Sequence, residues 1–399
     1  MKNKQLKFGT KAIHAGQVPD PTTGAIMTPI YQTTTYVQSS PGEHKGYAYA
    51  RGKNPTRSAL EKNLAALENA RFGLCFSSGM GASDAVIKLL RPGDEVIATI
   101  DIYGGSYRMF TKVFQHFGIK FHYVDMYDVS NITKYINANT KLIWLETPTN
   151  PTMGIIDIEA CAVISKKNNL KLVVDNTFAS PFLQNPLDLG ADIVLHSVTK
   201  YLGGHSDVIM GALCLNDQDI YNELAFINNS CGAVPGPMDC FLVLRGIKTL
   251  HVRMERHCSN GKAVAHFLRK HPGVDKVYWP GFEDFKNHDV AKRQMRDFGG
   301  MISFTLKDAT VEETFNMASR TKVFYLAESL GGVESLINHP ATMTHASMPK
   351  EDRDKAGVTD TLLRLSVGIE DIEDLLEDLD QAIGEYTMKD ENKFHHQGK

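Results

Sequence analysis

Two short apolar runs most constrain the fold of this chain: Leu172-Val173-Val174-Asp175-Asn176 and Ile193-Val194-Leu195-His196-Ser197-Val198-Thr199-Lys200. Each is rich in β-branched residues and stops abruptly in polar side chains. A buried parallel strand that delivers functional groups at its carboxyl end has this pattern. Similar runs stand upstream at Leu74-Cys75-Phe76, Glu95-Val96-Ile97-Ala98, Phe121-His122-Tyr123-Val124 and Leu142-Ile143-Trp144-Leu145. Helical spacing separates them. One helix is expected from Pro55 through Leu60, Leu64 and Leu67, another through Ala85 to Leu90, ended by Arg91-Pro92-Gly93, and a third from the Tyr103-Gly104-Gly105 turn to Phe117-Gly118. Such alternation predicts an α/β fold with a mainly parallel sheet covered by helices on both faces.

At 399 residues the chain exceeds one typical core and predicts a large domain followed by a smaller one. Residues 1–60 are rich in Thr, Pro, Gly and Tyr and lack helical periodicity. Ile30, Tyr31, Tyr36, Tyr47 and Tyr49 make them too aromatic for a disordered tail, so they read as an ordered arm packed on a neighbouring subunit. The large domain is expected over residues 61–255, with its boundary inside one long helix, Phe241 to Ala265. Residues 256–388 are expected as a smaller α/β domain with an antiparallel sheet that includes Met301 to Leu306. Its last helix would hold Ile369, Ile372, Leu375, Leu376, Leu379 and Ile383 opposite an acidic, solvated face. Residues 389–399 read as a disordered tail.

The formal net charge of −3 offers no field for nucleic acid or an anionic membrane. No stretch reaches the roughly 18–20 apolar residues of a membrane span, and Met1 to Gln17 has no apolar signal core. The six cysteines show no CxxC spacing, which argues against a disulfide framework and against a metal site. A reduced, cytoplasmic setting is expected.

The strand ends deliver a carboxylate, Asp175, two hydroxyls, Ser197 and Thr199, and an amine, Lys200. An ordinary Asp and Lys would form a salt bridge or sit in solvent. Here Lys200 is followed by Tyr201 and Gly203-Gly204, and a second segment, Ser77-Ser78-Gly79-Met80-Gly81, turns from strand to helix. Glycines at such a turn let backbone N–H groups approach an anion at a helix N-terminus. Alone, that signal also fits tight packing; it is neither a GxGxxG fingerprint nor a P-loop. With Ser197 and Thr199 it suggests a phosphate cup. An amine, a facing acid and a phosphate cup suit pyridoxal 5'-phosphate. Tyr103 reads equally as a residue stacked on a flat ring and as a half-buried structural tyrosine.

These residues resemble the pyridoxal-phosphate enzymes of cysteine and methionine transsulfuration. The motifs are Asn54-Pro55-Thr56-Arg57, Glu146-Thr147-Pro148-Thr149-Asn150-Pro151, Val174-Asp175-Asn176-Thr177-Phe178, Ser197-Val198-Thr199-Lys200-Tyr201, Ala327-Glu328-Ser329-Leu330-Gly331-Gly332 and Met343-Thr344-His345-Ala346. The resemblance implies a fold-type-I, aminotransferase-like subunit with a seven-stranded type of sheet, in a homotetramer built from two active dimers. It implies that Lys200 holds the cofactor as a Schiff base, Asp175 pairs with its pyridine nitrogen and Tyr103 stacks on its ring. Ser78, Gly79, Met80, Ser197 and Thr199 would hold the phosphate, with Tyr49 and Arg51 reaching it from the neighbouring subunit. Arg364 would grip the substrate carboxylate, oriented by Thr344. Ser329 would lie near the lysine, and Glu328 and Arg108 would complete the amino-acid site.

The resemblance further implies γ-elimination of L-cystathionine, with hydrogen sulfide release from cysteine or homocysteine. Lys200 would move the Cα proton, and Tyr103 and Tyr49 would serve later transfers if their surroundings lowered a tyrosine pKa from about 10. The alternatives are γ-replacement on an activated homoserine, a methionine γ-lyase and a non-catalytic relative. Glu328 is a carboxylate that methionine γ-lyases and cystathionine β-lyases resemble one another in lacking, and Gly105 stands where methionine γ-lyases usually place a cysteine. A cystathionine γ-synthase shares both, while the run from Gly232-Ala233-Val234-Pro235 through Met254-Glu255 is more similar to the γ-lyases. Ala48 departs from the lyases, which often carry an acid before the arm tyrosine, and this widens the expected substrate range.

Overall fold

The computed structural model describes residues 6–346 and 348–395. The N-terminal region begins with α1 (Phe8–His14), and α2 (Pro55–Leu67) follows a long extended stretch. The side chain of Asn54 caps α2 by accepting from the N–H groups of Thr56 and Arg57, with Pro55 in the first turn. Leu60, Leu64 and Leu67 are all buried. Strands and helices then alternate: β1 (Phe72–Phe76), α3 (Gly79–Ile87), β2 (Glu95–Thr99), α4 (Gly104–Lys112), β3 (Lys120–Val124), β4 (Thr140–Glu146), α5 (Ile158–Lys167), β5 (Lys171–Asp175), α6 (Ser180–Leu183), β6 (Ile193–Ser197) and β7 (Gly211–Leu215). These strands form a seven-stranded sheet in the order β1-β7-β6-β5-β4-β2-β3. The pairs from β6 to β3 are parallel, while β7 runs antiparallel to β6 and β1. Buried residues cover both faces, with Leu60, Val194 and Val198 in one cluster and Phe110, Trp144 and Leu195 in another.

The chain continues through α7 (Gln218–Cys231), α8 (Pro237–Ile247), α9 (Leu250–Lys270), β8 (Val274–Tyr278), α10 (His288–Gln294), β9 (Met301–Leu306), α11 (Val311–Ala318), β10 (Tyr325–Leu326), β11 (Leu336–Asn338), α12 (Lys350–Lys355), β12 (Leu362–Ser366) and α13 (Ile372–His395). A second sheet has the order β10-β11-β12-β9-β8, antiparallel except at β10–β11. Met301 to Leu306 is β9, an interior strand between β12 and β8, buried at all six positions.

Several elements differ from expectation. The Phe241–Ala265 helix is two helices. At the junction Arg253 donates to the carbonyls of Gly246 and Tyr201 at 2.9 and 2.7 Å and to the Thr249 hydroxyl at 3.2 Å, so a buried guanidinium takes the place of helix continuation. The expected boundary at 255/256 lies inside α9. Its first half (Leu250, Met254, Cys258) joins the core of the first sheet, and its second half (Val264, Ala265, Leu268) joins that of the second. Helix α3 stops at Ile87, because Leu89 and Leu90 bond back to Val86 and Ile87 in tight turns ahead of Pro92. Helix α4 stops at Lys112, and a separate 3-10 turn covers Phe114–Phe117 before Gly118 at φ 78°. Ile369 precedes α13 and bonds to the Val333 carbonyl instead. No Gly or Pro interrupts 385–395, and α13 runs to His395 where a disordered tail was expected; positions 396–399 of that tail lie outside the described residues. The start of the arm is also more regular than expected: α1 packs on α2 and α9 of its own chain, burying Ala12. Among the described residues no helix is long and apolar enough to cross a membrane.

Candidate active site

Strands β4, β5 and β6 all point their carboxyl ends at one edge of the large sheet, where open α/β sheets place their ligands. Glu146, Asp175 and Ser197 are the last residues of those three strands. Together with the start of α3 and the segment 328–330 they line a cavity of about 260 Å³.

At one side lies the anion cup. Ser78 caps α3 by accepting from the Gly81 N–H at 2.9 Å, leaving the first turn open toward β6. A side chain at Gly79 would press on Ser197 at 3.1 Å, so only glycine lets these two segments close up. Ser78, Gly79, Met80, Ser197 and Thr199 all line the cavity. The Thr199 hydroxyl accepts from the Met210 N–H at 3.0 Å and so fixes the turn that follows β6.

Asp175 accepts from both the N–H and the hydroxyl of Thr177, at 3.0 and 2.5 Å. Burial raises its pKa and those two donors oppose the rise. Thr177 also takes the Ser197 N–H at 2.8 Å, joining the two strand ends.

The Lys200 amine donates to the Ser329 hydroxyl at 2.7 Å. Burial, and next the charge of Arg364, lower its pKa to about 8, with Glu328 opposing. A neutral amine is therefore accessible near physiological pH, as carbonyl capture requires. Arg364 is 1 % exposed. It donates to Asn150 Oδ1 at 2.7 Å and to the Ser329 carbonyl at 2.8 Å, while its buried Nε has no partner among the described residues. An unpaired buried guanidinium N–H facing a cavity suits a carboxylate.

Tyr103 lies on the cavity wall, 38 % exposed, and Glu328 and Ile209 flank the open side. Burial raises the Tyr103 pKa, with Arg108 opposing, so the phenol is held protonated; the lowered tyrosine pKa anticipated for later proton transfers does not occur here.

The structure thus gathers Ser78, Gly79, Met80, Tyr103, Asp175, Ser197, Thr199, Lys200, Glu328, Ser329, Thr344 and Arg364 around one cavity. Three expected residues lie elsewhere. Arg108 is exposed on α4 outside the wall, and Tyr49 (52 % exposed) and Arg51 stay in the arm, where Arg51 donates to Asn229 at 3.3 Å. Thr344 does not orient Arg364. Its hydroxyl pairs with His345 Nδ1 at 2.9 Å, and Asn150 and the Ser329 backbone do the orienting. Glu146, Asn150 and Thr177 were quoted only inside motifs; their roles appear once the strand ends are brought side by side.

The residues present fit pyridoxal phosphate: a nucleophilic amine, a buried acid, a glycine-lined anion cup and a free carboxylate clamp share one cavity. A family model for the Cys/Met metabolism PLP-dependent enzymes matches residues 9–384. A cystathionine γ-lyase of Dictyostelium discoideum is 52% identical over 378 residues, 94% of this chain and 97% of that one. A cystathionine β-lyase of Coxiella burnetii is 51% identical over 96% and 99% of the two chains, and a cystathionine γ-synthase of Mycobacterium tuberculosis 52% over 94% and 96%. A solved cystathionine γ-lyase from Lactobacillus plantarum, complexed with L-serine, superposes with a TM-score of 0.93 at 43% identity, covering 95% and 99%.

Proposed function

The chain belongs to the Cys/Met metabolism PLP-dependent enzymes, with their fold-type-I architecture and pyridoxal 5'-phosphate as cofactor, and on that premise we propose that it cleaves L-cystathionine at the γ carbon. Cystathionine and water would give cysteine, 2-oxobutyrate and ammonia. What supports a cystathionine substrate is Glu328, an exposed carboxylate at the mouth of the cavity whose inner end holds Arg364. A γ-synthase would share that carboxylate, and the γ-lyase reading rests on the lyase-like run from Gly232-Ala233-Val234-Pro235 through Met254-Glu255. Cystathionine is a long substrate with an amino group at each end. Arg364 would take the carboxylate next to the reacting carbon, and Glu328 the distant ammonium.

When bound, the cofactor supplies an electron sink that makes the Cα proton of an amino acid removable. Asp175 would face the ring nitrogen and keep that sink charged. Lys200, whose pKa is lowered to about 8, would be the group to remove the Cα proton and return it further along the chain. Tyr103, whose pKa burial raises, would give a proton to the departing sulfur. Exposed Ile209 and Tyr103 leave the cavity open on one side. A second copy of the chain would cover it with the arm, bringing Tyr49 and Arg51 to the phosphate, in a homotetramer of two such dimers. Hydrogen sulfide release from cysteine or homocysteine would follow from the same parts, in a cytoplasmic setting.

The relatives at 51–52% identity carry three activity names, so the second readings are β-cleavage and γ-synthesis. Purified holoenzyme given cystathionine alone separates them. The proposal expects 2-oxobutyrate and cysteine. Pyruvate and homocysteine would mark β-cleavage, and no turnover until cysteine and an O-acylhomoserine are supplied would mark the synthase.

A further inference from the structure

Glu146 is a second buried acid in the cavity wall for which nothing above has a use. It ends β4 directly beside Asp175 on β5, the two being register partners on adjacent parallel strands. A third buried acid, Asp101, follows β2. The three carboxyls are not equally supported. Asp175 takes two donors from Thr177. Asp101 takes the hydroxyls of Thr99, Thr152 and Tyr127. Among the described residues Glu146 has a single hydrogen-bond donor, the backbone N–H of Tyr103 at 3.1 Å. Like charges that close cannot all be held without donors, and the acid with the fewest keeps its proton.

That one bond falls where Tyr103 needs a fixed position. Tyr103 precedes α4 with no side-chain cap. A Cβ at Gly105 would lie 2.4 Å from the Tyr103 ring, and one at Gly104 would lie 2.4 Å from the Thr344 carbonyl. The ring is thus folded tightly over its own helix start, and Glu146 holds the backbone from the other side.

We propose that Glu146 acts as a neutral carboxylic acid that positions Tyr103 over the cofactor ring, leaving Asp175 as the sole anion at the ring nitrogen. Burial, and next the charge of Asp175, push the Glu146 pKa upward; Asp101 adds to this, while the Tyr103 N–H and Arg364 oppose it. Glu146 is a positioning residue and acts through Tyr103. The inference rests on the placement of Tyr103 against the cofactor.

The test compares E146Q, E146L and Y103A as pyridoxal-phosphate holoenzymes. Glutamine keeps an acceptor for the Tyr103 N–H and cannot ionise; leucine keeps the volume and offers no acceptor. The visible circular dichroism of the bound cofactor, which reports the asymmetry of its surroundings, should change in E146L and Y103A alike and recover in E146Q. Turnover should fall about tenfold or more in E146L and be largely rescued in E146Q, whose kcat/KM against pH should keep both limbs in place. Displaced limbs in E146Q would show that Glu146 works as an anion and would overturn the proposal, even if E146L failed to fold. A changed band in Y103A with an unchanged one in E146L would overturn it while sparing Tyr103. An unchanged band in Y103A would remove Tyr103 from the ring and the proposal with it.

Discussion

The amine of Lys200 rests on the hydroxyl of Ser329 at 2.7 Å, and Ser329 holds that position with a φ of 95°. Non-glycine residues reach this region at a cost of order 1–3 kcal/mol. The same residue gives its carbonyl to Arg364 at 2.8 Å. One strained residue therefore ties Lys200, the proposed cofactor lysine, to Arg364, the proposed carboxylate clamp.

Replacing Ser329 separates strain from hydrogen bonding. S329A and S329G both remove the acceptor for Lys200, and a bond to a charged donor is worth about 1.5–3 kcal/mol, so kcat/KM should fall about tenfold or more in each. Glycine alone also relieves the backbone. S329G should unfold at a higher temperature than S329A while being no more active. Equal thermal midpoints would remove the strain argument.

Lys200 should capture pyridoxal phosphate with a pH dependence of its own. Its pKa is lowered to about 8, by burial first and Arg364 second. The neutral amine is the nucleophile, so below that value each pH unit protonates it and slows capture about tenfold. Above it the rate should level off. Stopped-flow mixing of apoenzyme with the cofactor measures this, and a rate still climbing toward pH 10 would show an ordinary, solvated lysine.

Asn150 should matter to substrate affinity without touching the substrate. It accepts from Arg364 at 2.7 Å inside the protein. N150A leaves a buried charge with one partner fewer, which should raise KM about tenfold and lower kcat much less. R364K should fare worse, since an ammonium cannot reproduce the planar fork. A fall in kcat at constant KM in N150A would move Asn150 from the clamp to the chemistry.

A side chain at Gly105 should displace the Tyr103 ring. A Cβ there would stand 2.4 Å from Tyr103, and the aromatic ring has to move. G105A should keep its cofactor but turn over at least tenfold more slowly, with a changed visible circular dichroism band, because misplacing a group by about 1 Å can cost about a hundredfold. An unperturbed band would mean that the ring yields without consequence.

The large sheet and Lys200 were legible because a buried parallel strand leaves a continuous apolar run that ends where its functional group begins. Asp175 and Ser197 followed for the same reason. Glu146, Asn150 and Thr177 were not, since their roles lie in contacts across 20 to 214 positions of sequence that no local pattern encodes: Glu146 to Tyr103, Asn150 to Arg364, Thr177 to Ser197. The division of Phe241–Ala265 was hidden similarly, because helical periodicity passes through the joint and only Arg253 breaks it by reaching the Tyr201 carbonyl. The tail was misread for the opposite reason: a polar run without Gly or Pro can extend a helix already nucleated by Leu375, Leu379 and Ile383.

The arm supplies the last test. Tyr49 is 52 % exposed, and neither it nor Arg51 reaches the cavity of its own chain. Val37 and Ile26 in the same arm are 96 % and 83 % exposed, more apolar surface than a free arm would present without cover. If a partner's arm completes each site, K200A and a Y49A/R51A double variant should each be nearly inactive alone, for different reasons. Subunits exchanged by mixed refolding pair at random. Half of the dimers then join one chain of each kind, and in such a pair one site has both an intact lysine and an intact arm. Activity should recover to roughly a quarter of the wild-type value, as expected for a two-fold dimer with shared sites. No recovery in dimers shown to be mixed would confine each site to one chain.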